Sequence, residues 1–139
     1  MIERQGAELA RHEVRVRVPP GLPQICVDPV RFEQILGNLL SNAVKYGSAD
    51  TPIAVELARR DERFVSCAVV NEGRGIDAAD LPNLFERFFR ARNARDGGVA
   101  GMGLGLYITR GLVEAHGGTI EVASEPGRTT TFRFTVPAA

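Results

Sequence analysis

The longest apolar periodicity in the chain runs from Phe32 to Ala43. Phe32, Ile35, Leu36, Leu39, Leu40 and Ala43 recur at helical spacing, which predicts an amphipathic helix reaching Tyr46 with one face in a core. Asp28-Pro29 ahead of it supplies an N-cap and a Pro at the first helical position. Gly47 and the run Ser48 to Pro52 end it. Upstream, Val14-Arg15-Val16-Arg17-Val18 alternates with period two and predicts a strand with one buried face. Pro19 to Pro23 reads as a turn, and Ile25-Cys26-Val27 as a short apolar segment leading into the helix. Downstream, Ile53 to Ala58 predicts a strand and Arg59 to Arg63 a solvated hairpin tip. Phe64 to Val70 returns as a more continuously apolar, hence central, strand. Asp77 to Leu84 reads as a short helix or turn. A second helix opens near Gly101, takes Leu104, Ile108, Leu112 and Ala115 as its apolar stripe, and ends at His116-Gly117-Gly118. Two final strands, Thr119 to Ala123 and Thr130 to Val136, flank a turn at Glu125 to Arg128.

Length and charge narrow this picture. A chain of 139 residues is expected to form one domain with a real core. Lys+Arg 17 against Asp+Glu 17 gives a formal net charge of +0, which argues against a nucleic-acid binder relying on a basic surface. No stretch approaches the roughly 20 apolar residues that span a bilayer, and no signal peptide is visible. Cys26 and Cys67 form no metal-ligand pattern. Each lies in an apolar run, so both are expected to be buried thiols in a reducing compartment. His12 is expected at a solvated strand edge, and His116 as a capping or dipole-facing residue rather than a base. Residues up to about Ala10 read as a helical tail or linker.

Candidate chemistry gathers at four places. Asn38, Asn42 and Lys45, spaced by four and three, lie nearly in line beside the apolar face of the first helix. A neutral oxygen donor suits a hard cation such as Mg²⁺ and a nearby Lys suits phosphate, although two polar rim residues on a solvated helix would look the same. Asn71-Glu72-Gly73-Arg74-Gly75-Ile76 follows the central strand. Its paired glycines permit either an ordinary turn or a close backbone approach to a ligand. Leu84 to Arg90 holds three Phe and passes into the polar, glycine-hinged segment Ala91 to Gly98. That segment is either a mobile loop whose arginines close over phosphate or a plain surface loop. Gly101-Met102-Gly103-Leu104-Gly105-Leu106 opens the second helix, where free N–H groups and the dipole make an anion site. Its spacing is neither the P-loop nor the dinucleotide fingerprint.

These residues resemble the catalytic domain of sensor histidine kinases. Asn38 to Tyr46 is similar to the asparagine box, Asn71 to Ile76 to the first glycine box, and Leu84 to Arg90 to the phenylalanine box. Gly101 to Leu106 is similar to the second glycine box and Gly127 to Phe132 to the closing element. Five motifs in order cover Val14 to Pro137. The resemblance implies a Bergerat-type two-layer α/β sandwich, with a mixed sheet of about five strands and three main helices on one face. It implies residues 13–139 as the ATP-binding catalytic domain and 1–12 as a linker or tail from a dimerisation domain. It implies that Asn42 holds Mg²⁺, that Asn38 lies near the phosphates of ATP, and that Lys45 and Arg90 contact phosphate, with Arg95 a weaker candidate. Tyr46 would flank the adenine, Asn71 would accept from its amino group, and Gly75 and Ile76 would lie beside the ring. Backbone N–H groups of Gly103, Leu104, Gly105 and Leu106 would bind the phosphates, and Gly73, Gly101 and Thr130 belong to the same nucleotide-binding set.

Two departures stand out. The family usually has Asp where this chain has Asn71, and a glycine is common where it has Thr129. An Asn carbonyl still accepts the amino hydrogen but without the carboxylate's charge, so nucleotide binding about tenfold weaker is expected. No helix-borne His-Glu of the phospho-acceptor type occurs, so no catalytic residue is identifiable in the chain itself. The resemblance implies as partners a separate dimerisation and phospho-acceptor domain and, indirectly, a response regulator. It implies a monomeric domain on the cytoplasmic side of a membrane-anchored parent, with no nucleic-acid partner. ATPases of the same fold carry a water-activating Glu four residues before the metal Asn; here that position is Asn38, which is no base. The remaining alternative is a degenerate docking module with weak or no nucleotide binding.

Overall fold

The computed structural model describes residues 13–48, 50–73, 75–86, 105–125 and 128–139, with Tyr46 by its backbone alone. Helix α1 spans Pro29–Tyr46. The Asp28 side chain caps it, accepting from the N–H of Val30 at 2.9 Å and of Arg31 at 3.3 Å. Such a cap contributes about 1 kcal/mol. The predicted face is the buried one: Ile35, Leu39, Leu40 and Ala43 are fully covered, and Phe32 tilts against Phe134 at 5.9 Å between ring centroids.

Five strands form one sheet: β1 (Val14–Arg17), β2 (Ile53–Arg59), β3 (Phe64–Glu72), β4 (Ile120–Glu125) and β5 (Thr129–Pro137). The order is β1-β2-β3-β5-β4. β1 and β2 are parallel, joined across α1, and every other pair is antiparallel, so the sheet is mixed. β3 takes the centre, as its continuous apolarity predicts. α1 lies over β3 and β5, and helix α2 (Gly105–Ala115) lies beside α1 over β5 and β4. Leu81–Asn83 forms a single 3₁₀ turn where a short helix or turn is expected. The described residues thus carry two α-helices and one 3₁₀ turn against the sheet, the expected α/β sandwich. No described helix is long and apolar enough to cross a membrane.

Three expectations are corrected. β1 does not have a buried valine face: Val14 is half-buried, but Val16 and Val18 are 62% and 59% exposed, and the strand ends at Arg17. Among the described residues β1 is the sheet edge, paired to β2 alone, and the two helices lie over the strands beyond β2. Cys26 is exposed. Its N–H donates to the Pro137 carbonyl at 2.8 Å, and in this extended segment Ile25 and Val27 turn inward while Cys26 turns out. Cys67 is buried as expected, and desolvation pushes its thiol up to about 12.

The third correction concerns α2. Its buried residues are Leu106, Thr109 and Val113, whereas Ile108 is 40% exposed and Ala115 is exposed; Leu104 lies outside the described residues. The buried face includes a polar side chain because the Thr109 hydroxyl is satisfied there, donating to the Gly105 carbonyl at 2.8 Å. His116 does act at a helix end. Its Nδ1 meets the Leu112 carbonyl at 2.8 Å, and its Nε2 accepts from the Asp28 N–H at 3.3 Å, tying the end of α2 to the start of α1.

Candidate functional site

Asn38 on α1 faces Gly105 and Thr109 of α2. Asn38 Nδ2 donates to Thr109 Oγ1 at 3.0 Å and reaches the Gly105 carbonyl at 3.5 Å. One carboxamide thereby fixes the start of α2 against α1. Asn42 is buried, and its Nδ2 donates to the Asn38 carbonyl at 2.9 Å. That bond uses the amide nitrogen and leaves Oδ1 out of it. Lys45, one turn further, is exposed. Asn38 thus joins the two helices, with Asn42 buried one turn further along α1.

The end of β3 closes the other side. Asn71 is 1% exposed, yet neither Oδ1 nor Nδ2 has a hydrogen-bond partner among the described residues. An unmet buried amide costs about 1–3 kcal/mol and demands an explanation. Its neighbours across the sheet are already engaged. Thr130, directly opposite on β5, is fully buried with Oγ1 at 3.2 Å from Ser124 Oγ, and Ser124 Oγ accepts from the Ile76 N–H at 2.8 Å. Gly75 adopts φ +76°, a left-handed conformation that glycine enters without steric cost, and the chain turns there to bury Ile76.

The two sides meet at Gly47. It bridges Gly73, and the next N–H, of Ser48, donates to the Glu72 carbonyl at 2.8 Å. A Cβ on Gly47 would lie 2.5 Å from the Ala43 carbonyl oxygen and 3.5 Å from Asn71 Nδ2. Glycine therefore lets the chain leave α1 past its own Ala43 carbonyl, with extended dihedrals (φ −86°, ψ 156°) rather than the left-handed cap. Gly73 is held from beyond by its N–H to the Arg128 carbonyl at 2.9 Å.

Comparison with known proteins decides the family. The description "Histidine kinase-, DNA gyrase B-, and HSP90-like ATPase" matches residues 27–139. The chain belongs to this family. Within it, the similarity is to sensor histidine kinases. Sensor protein KdpD of Clostridium acetobutylicum is 32% identical over 136 residues, which is 98% of this chain and 15% of KdpD. The mycobacterial sensor histidine kinase MprB superposes with a TM-score of 0.84 at 30% identity, over 99% of this chain and 90% of that one. Full-length ShkA in complex with AMPPNP superposes with a TM-score of 0.80 at 33% identity, over 98% of this chain and 29% of ShkA. The chain spans about a third or less of the curated relatives it matches.

This domain of the histidine kinase type brings together most of the residues singled out in its sequence. Asn38 and Gly105 meet between α1 and α2, and Asn42 and Leu106 are buried on those helices. Asn71, Gly73, Gly75, Ile76 and Thr130 meet at the end of β3, and Lys45 extends from the last turn of α1. Arg90, Arg95, Gly101, Gly103, Leu104, the Ala91 to Gly98 loop and the Tyr46 side chain lie outside the described residues. Of the phenylalanine cluster, Leu84 is buried and Phe85 packs edge-on against Phe132 at 6.4 Å. Two contributors escape sequence reasoning. Thr109 anchors Asn38 and Ser124 anchors Ile76. The available signal for Thr109 is its place four residues after Gly105, and for Ser124 its place opposite Thr130 in the final hairpin.

Proposed function

We propose that this domain binds Mg-ATP between α1, the end of β3 and the start of α2, and presents the γ-phosphate to a histidine on a separate dimerisation domain. The observation that carries the reading is the Asn71 side chain, buried with both polar atoms unmet at the end of β3, close to Gly47 where α1 ends. Asn71 Oδ1 accepts from the adenine amino group, Gly73, Gly75 and Ile76 lie beside the ring, Tyr46 flanks it and Thr130 completes the floor. N–H groups from Gly101 through Leu106, with Lys45, Asn38 and Arg90, hold the phosphates. Mg²⁺ fits the donor set: Asn42 Oδ1 offers one neutral oxygen, and a cation that keeps waters and phosphate oxygens needs few protein ligands. When bound, Mg²⁺ neutralises charge on the β- and γ-phosphates.

The chain's own contribution is positioning and fixed dipoles, the main terms in phosphoryl transfer. Water is not activated, because Asn38, in the place of the ATPase glutamate, is spent as a donor to Thr109. Among the described residues the one histidine, His116, has both ring nitrogens engaged within the fold, which supports an acceptor supplied from outside. Residues 1–12 accordingly connect to the dimerisation domain and 13–139 form the catalytic one. A response regulator is the indirect partner, and the working compartment is the cytoplasm. The test is phosphotransfer from Mg-ATP to a histidine-bearing dimerisation domain supplied in trans. Acid-labile label on that domain, lost with Asn42→Ala, is expected; rapid ATP turnover without an acceptor would instead favour an ATPase.

A further inference from the structure

The unmet amide of Asn71 has a consequence for which base the site takes. A carboxamide carries an acceptor at one end and donors at the other, and a half-turn of its terminal torsion exchanges them. Nothing polar fixes that turn: neither Oδ1 nor Nδ2 has a partner among the described residues. Thr130 Oγ1, on the residue directly opposite across the sheet, is occupied with Ser124, whose Oγ is held in turn by the Ile76 N–H. The side chain therefore sits buried and able to present either end.

Purines differ in a way this group can follow. Adenine has an amino donor at position 6 beside the acceptor N1. Guanine and hypoxanthine have a carbonyl acceptor at position 6 beside a donor N1–H. With Oδ1 toward position 6 and Nδ2 toward N1, Asn71 pairs with adenine; turned over, it pairs with a 6-oxo purine. Resting on the nucleotide reading above, we infer that Asn71 makes this a subsite for 6-amino and 6-oxo purine nucleoside triphosphates alike. A carboxylate there accepts from an amino group but opposes a carbonyl oxygen with like lone pairs, leaving a buried polar pair unmet. The one-atom change from Asp to Asn removes that rejection.

The test is equilibrium competition of Mg-ATP and Mg-ITP against a ribose-labelled fluorescent ATP on the wild-type domain and on Asn71→Asp. ITP isolates position 6, because hypoxanthine lacks the 2-amino group of guanine. Wild-type affinities for ATP and ITP within about tenfold of each other are expected. In Asn71→Asp the ATP preference is expected to rise by about tenfold or more. Saturable ATP binding with ITP weaker by more than that in the wild type overturns the inference and leaves the nucleotide reading intact. A wild-type domain that binds neither overturns both. The wild-type ratio decides the matter even if the Asp variant does not fold.

Discussion

Asn71 and Val69 sit two residues apart on β3, on the same face of the same sheet. The rung through Val69 runs Val55, Val69, Phe132, Val122; the next rung runs Ile53, Asn71, Thr130, Ser124. Val69 and Phe132 are fully buried among apolar neighbours, and Asn71 is buried as deeply. The first rung holds the sandwich together. The second gives up stability, with an amide that finds no partner among the described residues. A burial cost of that kind persists where something other than the fold meets the group. Depth alone therefore does not separate core from site. What separates them is whether each buried polar atom is satisfied from within.

Substitutions along the two rungs sharpen the contrast. Phe132→Ala empties the apolar rung and removes the partner of Phe85. It is expected to cost about 3–5 kcal/mol, read as a lower denaturant midpoint. Asn71→Leu should act the opposite way. Replacing the unmet amide with an apolar side chain is expected to leave stability unchanged or raise it by up to about 1–3 kcal/mol, while nucleotide affinity falls about tenfold or more. If unfolding shows that this variant is destabilised as strongly as Phe132→Ala, then Asn71 is a structural residue and the contrast fails.

Smaller effects probe the edges of the comparison. Asn42→Ala removes Oδ1 and the bond to the Asn38 carbonyl. Calorimetry with and without Mg²⁺ should show about tenfold weaker Mg-dependent binding, with a stability loss of about 1 kcal/mol. The smallest effect lies on the apolar rung through Leu57, Cys67, Phe134 and Ile120. Burial raises the Cys67 thiol from 9.0 to about 12, so the unfolded chain releases this proton first as pH rises. Its contribution is therefore fully present below 9.0 and is lost progressively as pH climbs toward about 12. Urea unfolding across that range should show the decline in the wild type and a shallower one in Cys67→Val. Exposed Cys26 should react readily with a thiol reagent in the native protein, and Cys67 should not.

Much of this was legible in the chain. Asp28-Pro29, the α1 stripe and the central β3 are strong local signals, and the structure repeats them because periodicity, cap and burial agree. The misreadings share a cause: apolar pattern shows which residues can be buried, not which are. Val16 is apolar at an edge that no described element covers. Thr109 is polar, yet buried, because Gly105 and Asn38 satisfy its hydroxyl. Cys26 faces out because Ile25 and Val27 on either side face in. In the site, the asparagine and glycine motifs could be read one by one. The lack of partners at Asn71 could not, since it depends on Thr130 and Ser124 pairing with each other across the final hairpin.

The most direct test is a calorimetric titration of the domain with Mg²⁺ and AMPPNP, run beside Asn71→Leu. Saturable one-site binding in the wild type, weakened about tenfold or more in a variant that remains at least as stable, is the predicted result. No binding at millimolar nucleotide, or equal binding by the two proteins, would contradict the claim that the unmet amide of Asn71 is there for a nucleotide base.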